Sequence, residues 1–97
     1  MRQDTVLGVA QQREVVIPNR EGLHFRPIMQ LVGAAQRFSS QVTVHCGERR
    51  ADGRSPMELL MLVATCGTHV RVVTEGTDEP EALEALVTLI ESGFGET

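Results

Sequence analysis

The chain has 97 residues, a formal net charge of −4 and three aromatic residues, all of them Phe. This length allows one domain. A protein that binds single-stranded nucleic acid needs aromatic side chains for base stacking and a basic groove, so the few aromatic residues and the net negative charge argue against that function. No apolar run approaches the roughly 20 residues that span a bilayer, and the first residues lack a secretion signal, so we expect a cytoplasmic protein without membrane insertion.

Hydrophobic periodicity predicts four strands and three helices. Residues 1–12 are polar and weakly patterned, and we interpret them as a mobile extension before a domain over residues 13–95. Within that domain, strands are predicted at 14–17, 41–46, 49–51 and 69–75, and helices at 25–38, from 56 to about 63, and from 78 onwards.

Two of the helices begin with capping signals. Ser55 is followed by Pro56 at the first helical position and by Glu58 two residues later, which predicts a capping box. Asp78 is expected to cap the last helix with its carboxylate, and Gly93 is placed to end it.

The predicted order is βαββαβα, in which every helix has one apolar face. Four short strands with such helices are expected to form an antiparallel sheet with the three helices on one face. The predicted fold class is therefore α+β, an open-faced two-layer sandwich.

The segment from Gly22 to Pro27 contains the residue types that a phosphate site needs. Pro27 favours the first turn of a helix, so His24 should lie just before the free N–H groups at its positive end, where an anion is stabilised. Arg26 adds a planar fork for phosphate oxygens, and the neutral ring of His24 is a nucleophile that can carry a phosphoryl group. We therefore predict a phosphohistidine carrier.

The motif Gly-Leu-His-x-Arg-Pro resembles the active-site signature of HPr, the histidine-containing phosphocarrier of the phosphoenolpyruvate:sugar phosphotransferase system. The resemblance runs in register from about Arg13 to Gly95. It includes the turns Arg54-Ser55-Pro56-Met57 and Gly67-Thr68 and the acidic segment over residues 75–79. It implies the same α+β sandwich, and it is the only basis for a strand order.

The resemblance implies that His24 accepts a phosphoryl group from a phosphoenolpyruvate-dependent protein kinase of the Enzyme I type, with Arg26 stabilising the phosphate. The group would pass to IIA-type acceptors of sugar uptake or to regulatory targets. The protein would be a monomeric transfer protein without a cofactor, rather than a stand-alone enzyme. The alternative on the same fold is a non-transport regulatory module whose partners recognise its surface and its modification state.

The family resemblance also concerns Ser55, which in Gram-positive relatives is phosphorylated by a dedicated serine kinase for regulation. Here Pro56 and Glu58 depart from the residues usual at those positions. A helix cap alone and a regulatory phosphorylation site, with a serine kinase or phosphorylase as partner, both stay open.

Phe25 stands where the family usually has a small residue between the histidine and the arginine. It is either an exposed apolar residue in a partner interface or a determinant of partner choice. Asn19 and Arg20, in the preceding loop, either border the phosphate site or form an ordinary turn.

The neighbouring apolar residues Met57, Leu60 and Met61 are either part of the core or, as the family implies, a patch that docks partners.

His45, Cys46, Cys66 and His69 are the residues that could be assembled into a metal site on paper. Adjacent strand residues point to opposite faces, so His45 and Cys46 cannot both ligate one ion without distortion. We therefore predict no metal site. The two cysteines are expected to be reduced and partly buried.

Overall fold

The computed structural model describes residues 10–96. The helices and strands are β1 Gln11–Val16, α1 Phe25–Ala35, β2 Gln41–Cys46, β3 Arg49–Asp52, α2 Pro56–Met61, β4 His69–Glu75, α3 Glu79–Glu91 and a 3₁₀ turn Gly93–Gly95. The predicted extension lies outside the described residues up to position 9, while Gln11 and Gln12 already pair with β4.

The four strands form one sheet in the order β1-β4-β2-β3, and all neighbouring strands are antiparallel. Alternating valines of the two central strands are buried on the face that the helices cover, as the period of two requires. The predicted α+β sandwich is confirmed. The buried side chains that fill it include Ile28, Leu31, Val42, Val44, Leu59, Val70, Val72, Leu86, Val87 and Ile90.

Helix α1 is shorter than its apolar pattern predicted, because the chain tightens after Ala35. The N–H groups of Arg37 and Phe38 donate to carbonyls three residues back rather than four. The Arg54 guanidinium then donates to the carbonyls of Ala35, Phe38 and Ser40 over 2.7–3.2 Å. A side chain distant in sequence therefore satisfies the carbonyls at this helix end.

Helix α2 also ends before the predicted position, at Met61. Val63 has a φ of +53°, a left-handed conformation that is unusual for a β-branched residue and incompatible with a continuing helix. Glycine most often ends helices in this way, so the sequence contains no ordinary signal for the stop.

The prediction that the Asp78 carboxylate caps α3 is wrong. That carboxylate makes no capping bond to its own helix and accepts hydrogen bonds from the N–H groups of Ser39 and Ser40 at 2.9 and 2.8 Å, and from the Ser40 hydroxyl. The Ser40 hydroxyl bond, followed by the Ser39 N–H, lowers the pKa of Asp78. Asp78 thus fixes the loop before β2, whereas Gly93, with a φ of +72°, ends α3 as predicted.

Candidate active site

The loop before α1 is held against the segment that follows α2. The Leu23 N–H donates to the Ala64 carbonyl at 2.8 Å, and the His24 N–H donates to the Gly22 carbonyl at 3.0 Å. Gly22 has a φ of +70°, and a Cβ there would lie 2.7 Å from the Ala64 oxygen and 2.9 Å from the Thr65 Cα. Only glycine fits this position, and its turn places His24.

His24 occupies the N-cap position of α1 with an extended backbone, and its carbonyl accepts the helical bond from the Ile28 N–H at 3.0 Å. The His24 side chain makes no capping hydrogen bond to this helix, and no acidic residue lies in its first turn. The His24 side chain is 37% exposed. The positive end of α1 is therefore accessible beside a reactive ring.

Glu96 contacts the His24 ring, although the two residues are 72 positions apart. Its Oε2 lies 2.8 Å from His24 Nε2, and its Oε1 accepts from Asn19 Nδ2 at 3.0 Å. Partial burial alone would raise the pKa of Glu96, but the hydrogen bonds from Asn19 and His24 and the nearby charges of His24 and Arg26 outweigh it and lower that pKa. The carboxylate is therefore ionised at neutral pH.

Phe25 and Arg26 follow His24 as the first two residues of α1 and point to solvent. Phe25 is 72% exposed, and Arg26 is also exposed. Asn19 is buried and bonded to Glu96, so it borders the site, while Arg20 lines the same surface groove as Glu96. The interpretation of Asn19 as part of an ordinary turn is therefore too narrow.

The family model described as the PTS HPr component phosphorylation site matches residues 11–92. This chain belongs to the PTS HPr family. It is 40% identical over 89 residues to phosphocarrier protein NPr of Proteus mirabilis, covering 91% of this chain and 99% of that protein. It is 45% identical over 84 residues to phosphocarrier protein HPr of Pseudomonas aeruginosa, covering 86% and 93%.

A solved structure, HPr-C-His from Thermoanaerobacter tengcongensis, has the same fold, with a TM-score of 0.86 at 40% identity. The match covers 90% of this chain and 98% of that one. The family and fold inferred from the HPr resemblance are thus confirmed, and membership in this family supports a phosphocarrier function in the phosphotransferase system.

Ser55 caps α2 as predicted, because its hydroxyl accepts from the Glu58 N–H at 3.2 Å. The second half of the predicted capping box is wrong. The Glu58 carboxylate accepts from the Asp52 N–H at 2.9 Å, and the Ser55 N–H donates to the Asp52 carbonyl. Glu58 thus connects α2 to the end of β3, a contact that local spacing does not reveal.

Met57, Leu60 and Met61 form an exposed apolar patch on α2, here called the α2 patch. Their exposed fractions are 69%, 52% and 65%, whereas Leu59 of the same helix is fully buried. The interpretation of these three residues as core is therefore wrong. Helix α2 packs beside α1, and Ala64, three residues after α2, accepts from the Leu23 N–H in the loop of His24. The exposed apolar surface is thus on the helix that neighbours α1.

His45 and Cys46 lie on opposite faces of β2. His45 pairs across the strands with Arg71 and Arg50, and burial first, then these two charges, lowers its pKa. Cys46 packs against the core. Within residues 10–96, no group of three or more His, Cys, Asp or Glu could hold a metal ion.

No helix in this part of the chain has the length and hydropathy that are needed to cross a bilayer.

Proposed function

We propose that His24 accepts a phosphoryl group from a phosphoenolpyruvate-dependent protein kinase of the Enzyme I type and passes it to IIA-type acceptors. The observation that carries this proposal is the start of α1. There a partly exposed histidine occupies an N-cap position without a capping bond, and Arg26 follows two residues later.

The chemistry follows from this arrangement. A phosphoryl group on His24 would lie beside the free N–H groups of α1, whose partial positive charge favours an anion. The Arg26 guanidinium can donate to two of its oxygens. Phosphoryl transfer depends on positioning and charge stabilisation rather than on elaborate covalent chemistry, and this helix start supplies both.

We propose that the partners cover Phe25 and the α2 patch. Both are apolar and exposed. Phe25 directly follows His24, and the α2 patch is on a helix that packs beside α1. Buried apolar side chains at the centre of an interface contribute most of its binding energy. A protein that brings its own reactive group to a surface histidine needs such a surface around it. The cytoplasmic location and the monomeric state remain predictions.

We propose Ser55 as a site of regulatory phosphorylation. Its hydroxyl already accepts a helix N–H, so phosphorylation would exchange a neutral cap for a doubly charged one at the same helix end, next to the α2 patch. The family resemblance supports this role.

The test is a reconstituted transfer with phosphoenolpyruvate, the organism's own upstream kinase, this protein and a IIA-type acceptor. We expect an acid-labile, alkali-stable phosphoryl group on the wild-type protein, followed by its appearance on the acceptor. His24→Ala should abolish both steps, while His69→Ala, which alters an exposed histidine on the sheet, should transfer normally.

Phosphorylation of His24→Ala at the wild-type rate would contradict the proposal. Acceptance by His24 without transfer to any IIA-type acceptor would instead favour the regulatory module.

A further inference from the structure

The chain after α3 turns back towards His24 through three consecutive residues with positive φ. Gly93, Phe94 and Gly95 have φ values of +72°, +59° and +75°. The two glycines adopt this conformation without a Cβ penalty. Phe94 is held in it because its side chain is buried and its carbonyl accepts from Gln30 Nε2 at 3.2 Å. The turn brings Glu96 to the candidate active site.

The Glu96 carboxylate is held there by two side chains. Asn19 Nδ2 donates to Oε1 and also to the Gly22 carbonyl at 2.8 Å, so a buried amide fixes the carboxylate to the loop that carries His24. The other oxygen faces His24 Nε2. An ionised carboxylate only accepts hydrogen bonds, so Nε2 is the donor in this contact. Whenever the ring is neutral, its lone pair is then on Nδ1.

We infer that Glu96 is a positioning residue that holds the proton on His24 Nε2 and thereby directs phosphoryl transfer to and from Nδ1. This inference rests on the proposed function. It assigns a role in the reaction to a residue outside the sequence motif.

The transfer balances without moving a proton on His24. In acceptance, the Nδ1 lone pair forms the bond to phosphorus, and the bond from phosphorus to the phosphorylated kinase breaks with its electron pair returning to the kinase. The ring, still protonated on Nε2, becomes positively charged beside Glu96. In donation, the phosphorus–Nδ1 bond breaks and its pair returns to Nδ1. A carboxylate that orients an imidazole and stabilises its cation acts similarly in the Ser-His-Asp triad.

The carboxylate should matter most for donation at high pH. Without it, the phosphorylated ring loses its Nε2 proton more readily, and an imidazole that leaves without that proton is a poor leaving group. The other charged or titratable groups around the pair are Arg26 at the helix start and three residues that line the groove of Glu96. These three are Arg20, Cys66 and Glu91.

The experiment compares Glu96→Gln and Glu96→Ala with the wild type and with Glu91→Gln as a matched control. Glu91 is an exposed carboxylate at the end of α3 in the same groove. Each protein is phosphorylated by the upstream kinase, and onward transfer to a IIA-type acceptor is timed from neutral to alkaline pH, beside a melting curve.

We expect both Glu96 variants to transfer roughly tenfold more slowly near neutral pH, the lower end of the loss found when the partner that orients a metal-binding histidine is removed. Their alkaline decline should also begin at lower pH. Glu91→Gln should keep the wild-type profile, and all four melting temperatures should agree.

Wild-type rates and profiles in both Glu96 variants would overturn the inference, as would faster transfer, which would make the carboxylate a competitor of the phosphoryl group. A uniform slowing that follows a fall in melting temperature would assign Glu96 a structural role only. If the wild-type protein takes no phosphoryl group, the proposed function fails and the inference fails with it. If it does, a negative result in the variants concerns Glu96 alone.

Discussion

The starts of α1 and α2 have similar backbones but different chemistry. Both N-cap residues are extended, His24 with a φ of −95° and Ser55 with a φ of −111°. At α2 the Ser55 hydroxyl accepts a hydrogen bond from the Glu58 N–H, so its own side chain caps the helix. At α1 the His24 side chain makes no capping hydrogen bond. The uncapped start has the histidine, and the capped one has a serine that stabilises its helix.

This difference shows how stability and function are distributed along one chain. A missing cap costs about 1 kcal/mol, which α1 tolerates because it buries Ile28, Leu31 and Val32 against the sheet. The start of α1 lacks the capping side chain that the start of α2 has. Such a departure from local sequence preference is typical of a functional site.

The largest expected effect on stability comes from the loop that positions the start of α1. Gly22→Ala should destabilise the fold by about 2–3 kcal/mol, because a positive φ and a collision with the Ala64–Thr65 backbone act together. Gly67→Ala is the matched control, since Gly67 also has a positive φ but open space around it, and should cost about 1 kcal/mol. Equal losses in urea unfolding would show that the close contact is unimportant.

Arg26→Ala should slow phosphoryl acceptance from the upstream kinase roughly tenfold without lowering the melting temperature, because its charge-assisted bonds go to phosphate and not to the core. Lysine at position 26 should restore only part of the rate. Arg37→Ala, an exposed arginine near the other end of α1 that lies over Phe38, should react normally. Parallel losses of rate and stability in Arg26→Ala would instead make Arg26 structural.

At the capped helix start, Ser55→Ala should cost about 0.5–2 kcal/mol of unfolding free energy. Ser55→Asp should keep the stability, because aspartate can also cap. Its charge beside the α2 patch should slow transfer from the upstream kinase if the partner surface there is also negative. Normal transfer by a stable Ser55→Asp protein would leave Ser55 as a cap alone.

The smallest effect on the fold is expected at Phe25. Phe25→Ala should change the unfolding free energy by less than about 0.5 kcal/mol, as at other exposed positions, but should weaken binding to the upstream kinase in a calorimetric titration. An unchanged Kd with a large fall in melting temperature would mean that Phe25 supports the core.

The sequence predicted those parts of the fold that local patterns determine. The bounds of β2 and β4 agree with the prediction because valines alternate along both strands. Strand β1 begins three residues before its predicted start, since Gln11, Gln12 and Arg13 are polar and join the sheet through pairing with β4. Alternation cannot reveal a strand that only its neighbour stabilises.

The same limit applies to the candidate active site, where only the residues of the local motif could be predicted from the sequence. His24 and Arg26 belong to one short motif, but Glu96 reaches His24 only through the left-handed turn at Phe94. The one local sign of that turn is a large apolar residue between two glycines. Asp78 was misassigned for the same reason, because its partners Ser39 and Ser40 are far away in sequence.

The most direct test of the two helix starts is to map the phosphate on the wild-type protein after incubation with phosphoenolpyruvate and the upstream kinase, using mass spectrometry under alkaline conditions. We expect all of the phosphate on His24 and none on Ser55, and we expect acid to remove it. Acid-stable phosphate at the start of α2, or phosphate on a residue other than His24, would contradict it.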